Sequence, residues 1–199
     1  MADKVQALAE GELERVPAQL KPFIQKGAKD DPDQIFMKLD YMAYAYGRAF
    51  TEFAEGALDE WPKKNYIVQP MVYLARHSME LYLKWAIGQY QAYLGDYTDK
   101  TDHHSLTKLW NTLVRLLAAA GAPTDDEYSQ YCLKLLNHIN ETDPDGEQFR
   151  YPHKKDGEPF ELAKVDLDRL VKAHWHVSSY ADASVEMIPE LAEEVVEKE

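Results

Sequence analysis

Arg76, Glu80 and Lys84 follow one another at four-residue intervals, with His77 alongside, inside the run Met71-Val-Tyr-Leu-Ala-Arg-His-Ser-Met-Glu-Leu-Tyr-Leu-Lys-Trp-Ala-Ile87. In a helix that spacing gathers the three charges on one face. A guanidinium, a carboxylate, an ammonium and an imidazole so placed have two uses, to hold an anion such as phosphate or to pair with one another. As a solvated helix pair, Glu80 to Lys84 contributes only about 0.3–0.5 kcal/mol. Metal chemistry is not expected, although the chain has seven histidines. The adjacent His103 and His104 point apart on a helix, His174 and His176 stand roughly 200° apart around an axis, and Cys132 has no second cysteine to join it. The chain also lacks a Gly-rich phosphate loop, a Gly-x-Ser-x-Gly elbow and a paired-glycine dinucleotide fingerprint, so no cofactor is expected. Tyr41, Tyr44 and Tyr46 lie on or beside an apolar helix face, where packing is their expected use.

The charged stripe must be positioned by a helix spanning Ile67 to Leu94. One apolar seam in it runs through Ile67, Met71, Leu74, Leu81 and Trp85 and a second through Val72, Met79, Tyr82 and Ala86. A helix apolar on two sides is a central one. Before it, Phe36, Leu39, Met42, Tyr46, Ala49, Phe50 and Phe53 mark an amphipathic helix over residues 32–58, with Asp31 or Asp33 as its cap. After it, Leu106, Leu109, Trp110, Leu113, Leu116 and Leu117 predict a helix ending near Gly121. Thr124-Asp-Asp-Glu127 reads as a capping box for a helix carrying Tyr128, Tyr131, Leu135 and Ile139. Asp143-Pro-Asp-Gly146 is a turn, and residues 149–160, centred on Asp156-Gly157, predict a small hairpin or irregular insertion. Asp166 caps a last long helix through Leu170, Val177, Ala181 and Ile188, which Pro189 ends or bends. Short connections make the economical fold an all-α, up-and-down bundle of four to five helices over residues 31–190. It is preceded by a helical arm over residues 1–30, interrupted by Pro17 and Pro22, and followed by an acidic tail over residues 191–199.

With 199 residues, 45% of them hydrophobic and 29% charged, the chain suits one globular domain. No apolar run approaches the ~18 residues of a membrane span. The single cysteine and an N-terminus without an apolar signal core place the chain in a reducing cytoplasm. A net charge of −13 opposes broad, sequence-independent DNA binding, which draws on many Lys and Arg, but leaves room for a local basic pocket.

Three stretches carry a resemblance: Ala75-Arg-His-Ser-Met-Glu-Leu-Tyr-Leu-Lys84, His104-Ser-Leu-Thr-Lys-Leu-Trp110 and Phe149-Arg-Tyr-Pro152. In order and spacing they resemble the HEPN domains, small helical bundles of prokaryotes and higher eukaryotes. That resemblance implies a homodimer, a role in toxin–antitoxin or defence systems, and, in many members, metal-independent RNA cleavage by an Arg and a His across two subunits. It adds His104, Arg150 and Tyr151 to Arg76, His77, Glu80 and Lys84 as binding residues for RNA, a nucleotide or a protein partner. For catalysis it points to Arg169 with His174 or His176. Seven residues put His176 within about 20° of Arg169, whereas five put His174 about 140° away, on the apolar seam. His176 would then be the general base on a ribose 2′-hydroxyl and Arg169 the stabiliser of phosphorane charge. Leu170 stands where the ribonucleolytic pattern has a polar residue.

Three functions are therefore carried forward: a binding or accessory module, a metal-independent endoribonuclease, and a structural homo-oligomeric interaction domain. The competing use of the stripe is a salt-bridge network in which Arg76, Glu80 and Arg150 pin the insertion to the bundle. An Arg between Ala75 and Met79 on a central helix needs an acceptor. Arg76 or Glu80 is therefore expected to be buried and hydrogen-bonded to residues 141–151.

Overall fold

Apolar residues recurring at helical spacing give six α-helices in the computed structural model, which describes residues 38–63, 65–161 and 164–196. They are α1 (Leu39–Leu58), α2 (Val68–Leu94), α3 (Leu106–Ala119), α4 (Glu127–Thr142), α5 (Leu167–Glu186) and α6 (Ile188–Val196), with a 3₁₀ turn at Asn65–Ile67 leading into α2. The expected arm over residues 1–30, and the caps Asp31 and Asp33, lie outside the described residues. The fold is an all-α, up-and-down bundle, as its pattern predicts. No described helix is long and apolar enough to cross a membrane.

Helix α2 is the axis, packing against α1, α3 and α5, while α4 closes the bundle between α3 and α5. Met71, Met79, Leu83, Ile87 and Tyr90 of α2 meet Phe50 of α1, Leu109, Trp110, Leu113 and Leu117 of α3, and Val177 of α5 in one core. Burying one such Leu or Met contributes roughly 1.5–3 kcal/mol, which is why the apolar seams fix the element order. Pro70 sits in the first turn of α2, where its missing N–H has no intrahelical partner to lose, and Gly95 ends the helix at φ 67°.

Two local expectations are corrected. Helix α4 is capped by Asp126, whose carboxylate accepts from the N–H groups of Tyr128 and Ser129, and Thr124 is not the cap. Glu127 is then the first helical residue, two positions too early to reach back as a capping box requires. Part of the expected acidic tail is helix α6, because Ile188 and Leu191 find the core. Pro189 follows a break at Met187, so the last long helix ends and restarts there.

The insertion between α4 and α5 is irregular. Around Asp156-Gly157 a single antiparallel bridge joins His153 to Pro159. Lys154 N–H donates to Glu158 at 2.8 Å and Phe160 N–H to Pro152 at 3.3 Å. This is a tight turn rather than a ladder, and no regular strand forms among the described residues.

Candidate functional site

Arg76 lies inside the protein, 3% exposed, with Glu80 at 2%. Its Nε donates to the Asp143 carbonyl at 3.2 Å and faces the Asp143 carboxylate at 3.3 Å. Nη1 donates to Glu80 at 3.2 Å, and Nη2 to the carbonyls of His104 at 2.7 Å and Pro144 at 3.5 Å. Helix α4 ends at Thr142, so the Asp143 and Pro144 carbonyls belong to the turn that leaves it, and the guanidinium pins that turn from another helix. The expected burial and bonding to residues 141–151 are both present.

Glu80 collects the other charges. Its Oε1 receives Lys84 Nζ at 2.8 Å and His104 Nδ1 at 2.9 Å. Burial alone would raise the Glu80 carboxyl, but the hydrogen bond and charge of Lys84, then those of His104, hold it below the usual carboxylate range. Asp143 also accepts the Gln148 N–H at 3.0 Å, so one carboxylate ties α2 to the turn beyond α4. Arg76 and Glu80, expected as binding residues, are thus 2–3% exposed and paired internally, so within this chain they form the buried base of the stripe rather than its open face.

Gly146 is where this clamp meets the chain most closely. At φ +73° its position for a Cβ is 2.6 Å from Arg76 Nη1 and 3.1 Å from Cζ. The tip of an arginine ordinarily yields, but this one is held by five oxygens. We expect Gly146→Ala to destabilise by about 1–3 kcal/mol, the sum of left-handed backbone strain and displacement of the guanidinium. Gly157→Ala, at φ +89° in open space, is the control and carries the backbone part alone. Urea midpoints of the two variants check it, and equal losses would remove the steric component.

The remaining members of the stripe reach the surface together. The His77 ring stacks on Tyr73 at 5.4 Å and 10°, and meets Tyr46 edge-on at 4.5 Å. Arg150, exposed on the insertion, places its guanidinium 5.9 Å from the Tyr73 ring and 5.3 Å from the Tyr151 ring. It forms no ion pair among the described residues, so the pinning role expected of it falls to Asp143 and Pro144. Burial first, then Lys84, Arg150 and His104, keep the His77 imidazole neutral at lower pH than usual, with Glu80 opposing. All seven binding candidates therefore fall in one neighbourhood, two as its buried base and five around it. Tyr73 and Tyr46 were missed as members. The spacing of Tyr73 four residues before His77 was the available signal, whereas Tyr46 reaches the site only through the packing of α1 on α2.

The other candidate pair is not brought together. The Arg169 side chain is 87% exposed and pairs at 3.3 Å with Asp166, the cap of its own helix. His176, about two turns further on, has Nδ1 3.1 Å from the Tyr128 hydroxyl and rings of Tyr131 and Trp175 around it. His174, the alternative, is in the core as its seam position predicts. Its Nε2 lies 3.2 Å from Ser78 Oγ, and that hydroxyl donates to the Ala43 carbonyl at 2.8 Å, so Nε2 carries the donated N–H. Burial pushes its pKa down to about 4. Cys132 is packing, with its thiol pushed up to about 11 by burial. No group of three or more His, Cys, Asp or Glu is arranged to hold a metal ion among the described residues.

Comparison of the chain with protein-family models, with curated proteins and with solved structures gives no match in any of the three.

Proposed function

We propose that the chain is a HEPN-like binding module that takes single-stranded RNA or a nucleotide on the face formed by Arg150, Tyr151, Tyr73 and His77. The observation that carries the reading is an exposed guanidinium lying over two tyrosine rings, one of them stacked on an imidazole, with no carboxylate pairing it among the described residues. An aromatic face accepts any base by stacking, and one free arginine beside it accepts a phosphate. His104 and Lys84 lie at the edge of the same face, both held by Glu80, and the Arg76 clamp beneath it holds the insertion in place. A site with so few cations suits a net charge of −13, because binding then depends on stacking more than on counterion release.

In this reading the module acts as a cytoplasmic homodimer in a toxin–antitoxin or defence setting, as the resemblance implies, with a protein partner as its regulator. The ribonuclease alternative has no comparable support, since Arg169 turns to Asp166 and His176 to Tyr128.

Fluorescence anisotropy with a short labelled single-stranded RNA tests the reading. We expect Tyr73→Ala and Arg150→Ala each to weaken binding by about fivefold or more, as loss of one stacked base or one cation contact does. Arg150→Ala should also lower the salt slope by about 0.7, one single-strand phosphate. Binding that is absent in the parent protein, or unchanged in both variants, would end the proposal.

A further inference from the structure

A second opening lies where α1, α2 and α5 meet, away from the Arg150 face. It is a groove of about 210 Å³ lined by Tyr44 and Arg48 of α1, Tyr82 of α2, and Trp175, Ser178 and Asp182 of α5. Typical small-molecule pockets run to roughly 300–1,000 Å³, so this one has room for a single compact group.

Three features set its chemistry. Tyr44 is 54% and Trp175 61% exposed, although rings of this size are normally drawn into a core. The three groove aromatics come from three different helices, and their ring contacts are with residues outside the trio: Tyr44 meets Tyr41, Trp175 meets His176 and Tyr82 meets Trp85. Next, Asp182 pairs with no cation among the described residues, while Arg48 is turned along its own helix to Glu52 at 3.4 Å. Tyr82, Asp182 and Tyr44 line one groove, and the Tyr82 phenol is raised by burial first and then by Asp182 and Tyr44. Lastly, Ser178 is 8% exposed and its Oγ is buried without a hydrogen-bond partner. Other helical hydroxyls nearby find carbonyls, Thr51 that of Gly47 at 3.0 Å and Ser184 that of Ala181 at 2.7 Å. An orphaned hydroxyl is costly unless something supplies its partner.

We propose that this groove binds a small organic ammonium ion that also carries a hydroxyl or similar polar group. The negative faces of Tyr44, Tyr82 and Trp175 attract the cation, Asp182 provides the counter-charge, and the polar group of the ligand meets Ser178 Oγ. A neutral ligand of the same shape gains nothing from Asp182, and an anion is repelled by it.

Titration of the full chain with choline, followed by calorimetry and by tryptophan fluorescence, tests the proposal, with dimethylbutanol as the uncharged isostere and tetramethylammonium as the probe lacking a hydroxyl. The expected result is saturable choline binding, weaker binding of dimethylbutanol, and a loss of about fivefold to tenfold for Trp175→Ala and for Asp182→Asn. Both positions are exposed, so neither variant endangers the fold. Ser178→Ala should weaken choline without changing tetramethylammonium. Three outcomes overturn the proposal: no saturable choline binding, equal binding of choline and dimethylbutanol, or choline affinity unchanged in both Trp175→Ala and Asp182→Asn.

Discussion

Arg76→Ala should lower the stability of this protein by about 3–5 kcal/mol, the usual consequence of removing one partner from a buried ionic network. Glu80 and Asp143, with side chains 3% exposed, would lose their shared cation in a place water does not reach. The carbonyls of Asp143, Pro144 and His104 would lose a donor at the same time. A domain of this size is stable by roughly 5–15 kcal/mol, so the variant should remain only marginally folded at room temperature. Arg76→Lys should recover little, because a single ammonium cannot reach acceptors spread around a planar fork. Adding Asp143→Asn to Arg76→Ala should recover part of the loss, because Asp143 has no other cation among the described residues whereas Glu80 keeps Lys84, a coupling of about 0.5–3 kcal/mol. Urea denaturation followed by circular dichroism measures all three. An Arg76→Ala midpoint within about 1 kcal/mol of the parent would mean that the network holds nothing together.

The second large effect is loss of stability in mild acid, centred on His174. In the fold its pKa is about 4, against 6.5 for the free side chain, because protonation would place a charge in the core beside Phe50. The unfolded chain therefore binds a proton that the folded chain refuses between these values. Stability is complete above pH 6.5, falls as pH drops through the window from 6.5 toward 4, and is flat below it as far as this group is concerned. A difference of that size corresponds to about 3 kcal/mol over the window. His77 and His103, both lowered chiefly by burial, act with the same sign. Glu80, held below the ordinary carboxylate value, extends the loss beneath pH 4.5. Chemical denaturation from pH 7.5 down to 4 checks this, and His174→Gln should flatten the profile by removing its largest component. A His174→Gln profile as steep as that of the parent would assign the acid sensitivity elsewhere.

These two residues show where sequence reasoning ends. His174 lies on the apolar seam of α5, and helical spacing alone sends it inward. Its tautomer required knowledge that Ser78 and Ala43 lie across the interface, and a close approach there is possible because Gly47 has no side chain: a Cβ would sit 3.0 Å from Ser78 Oγ. For Arg76, the need for an acceptor and the acidic stretch that could provide one were both legible. That the guanidinium would also take the His104 carbonyl was not, since it depends on where the start of α3 docks on α2.

What the sequence by itself determined is what repeats at short range: the helical spans, the central rank of α2, the turn at Asp143 to Gly146, the break at Pro189 and the Asp166 cap. Those follow from side-chain spacing and backbone preference over one or two turns, and they need no partner. Tertiary structure alone decided which polar residues face inward, that Arg150 rests on Tyr73 rather than in the ion network, and that His176 meets Tyr128. A charge pattern states only which groups share a helix face. Whether that face meets water, a carboxylate or a ring is set by the neighbouring helix, because burying a charge is tolerable only where the fold has already brought its counter-charges and carbonyls within hydrogen-bond reach.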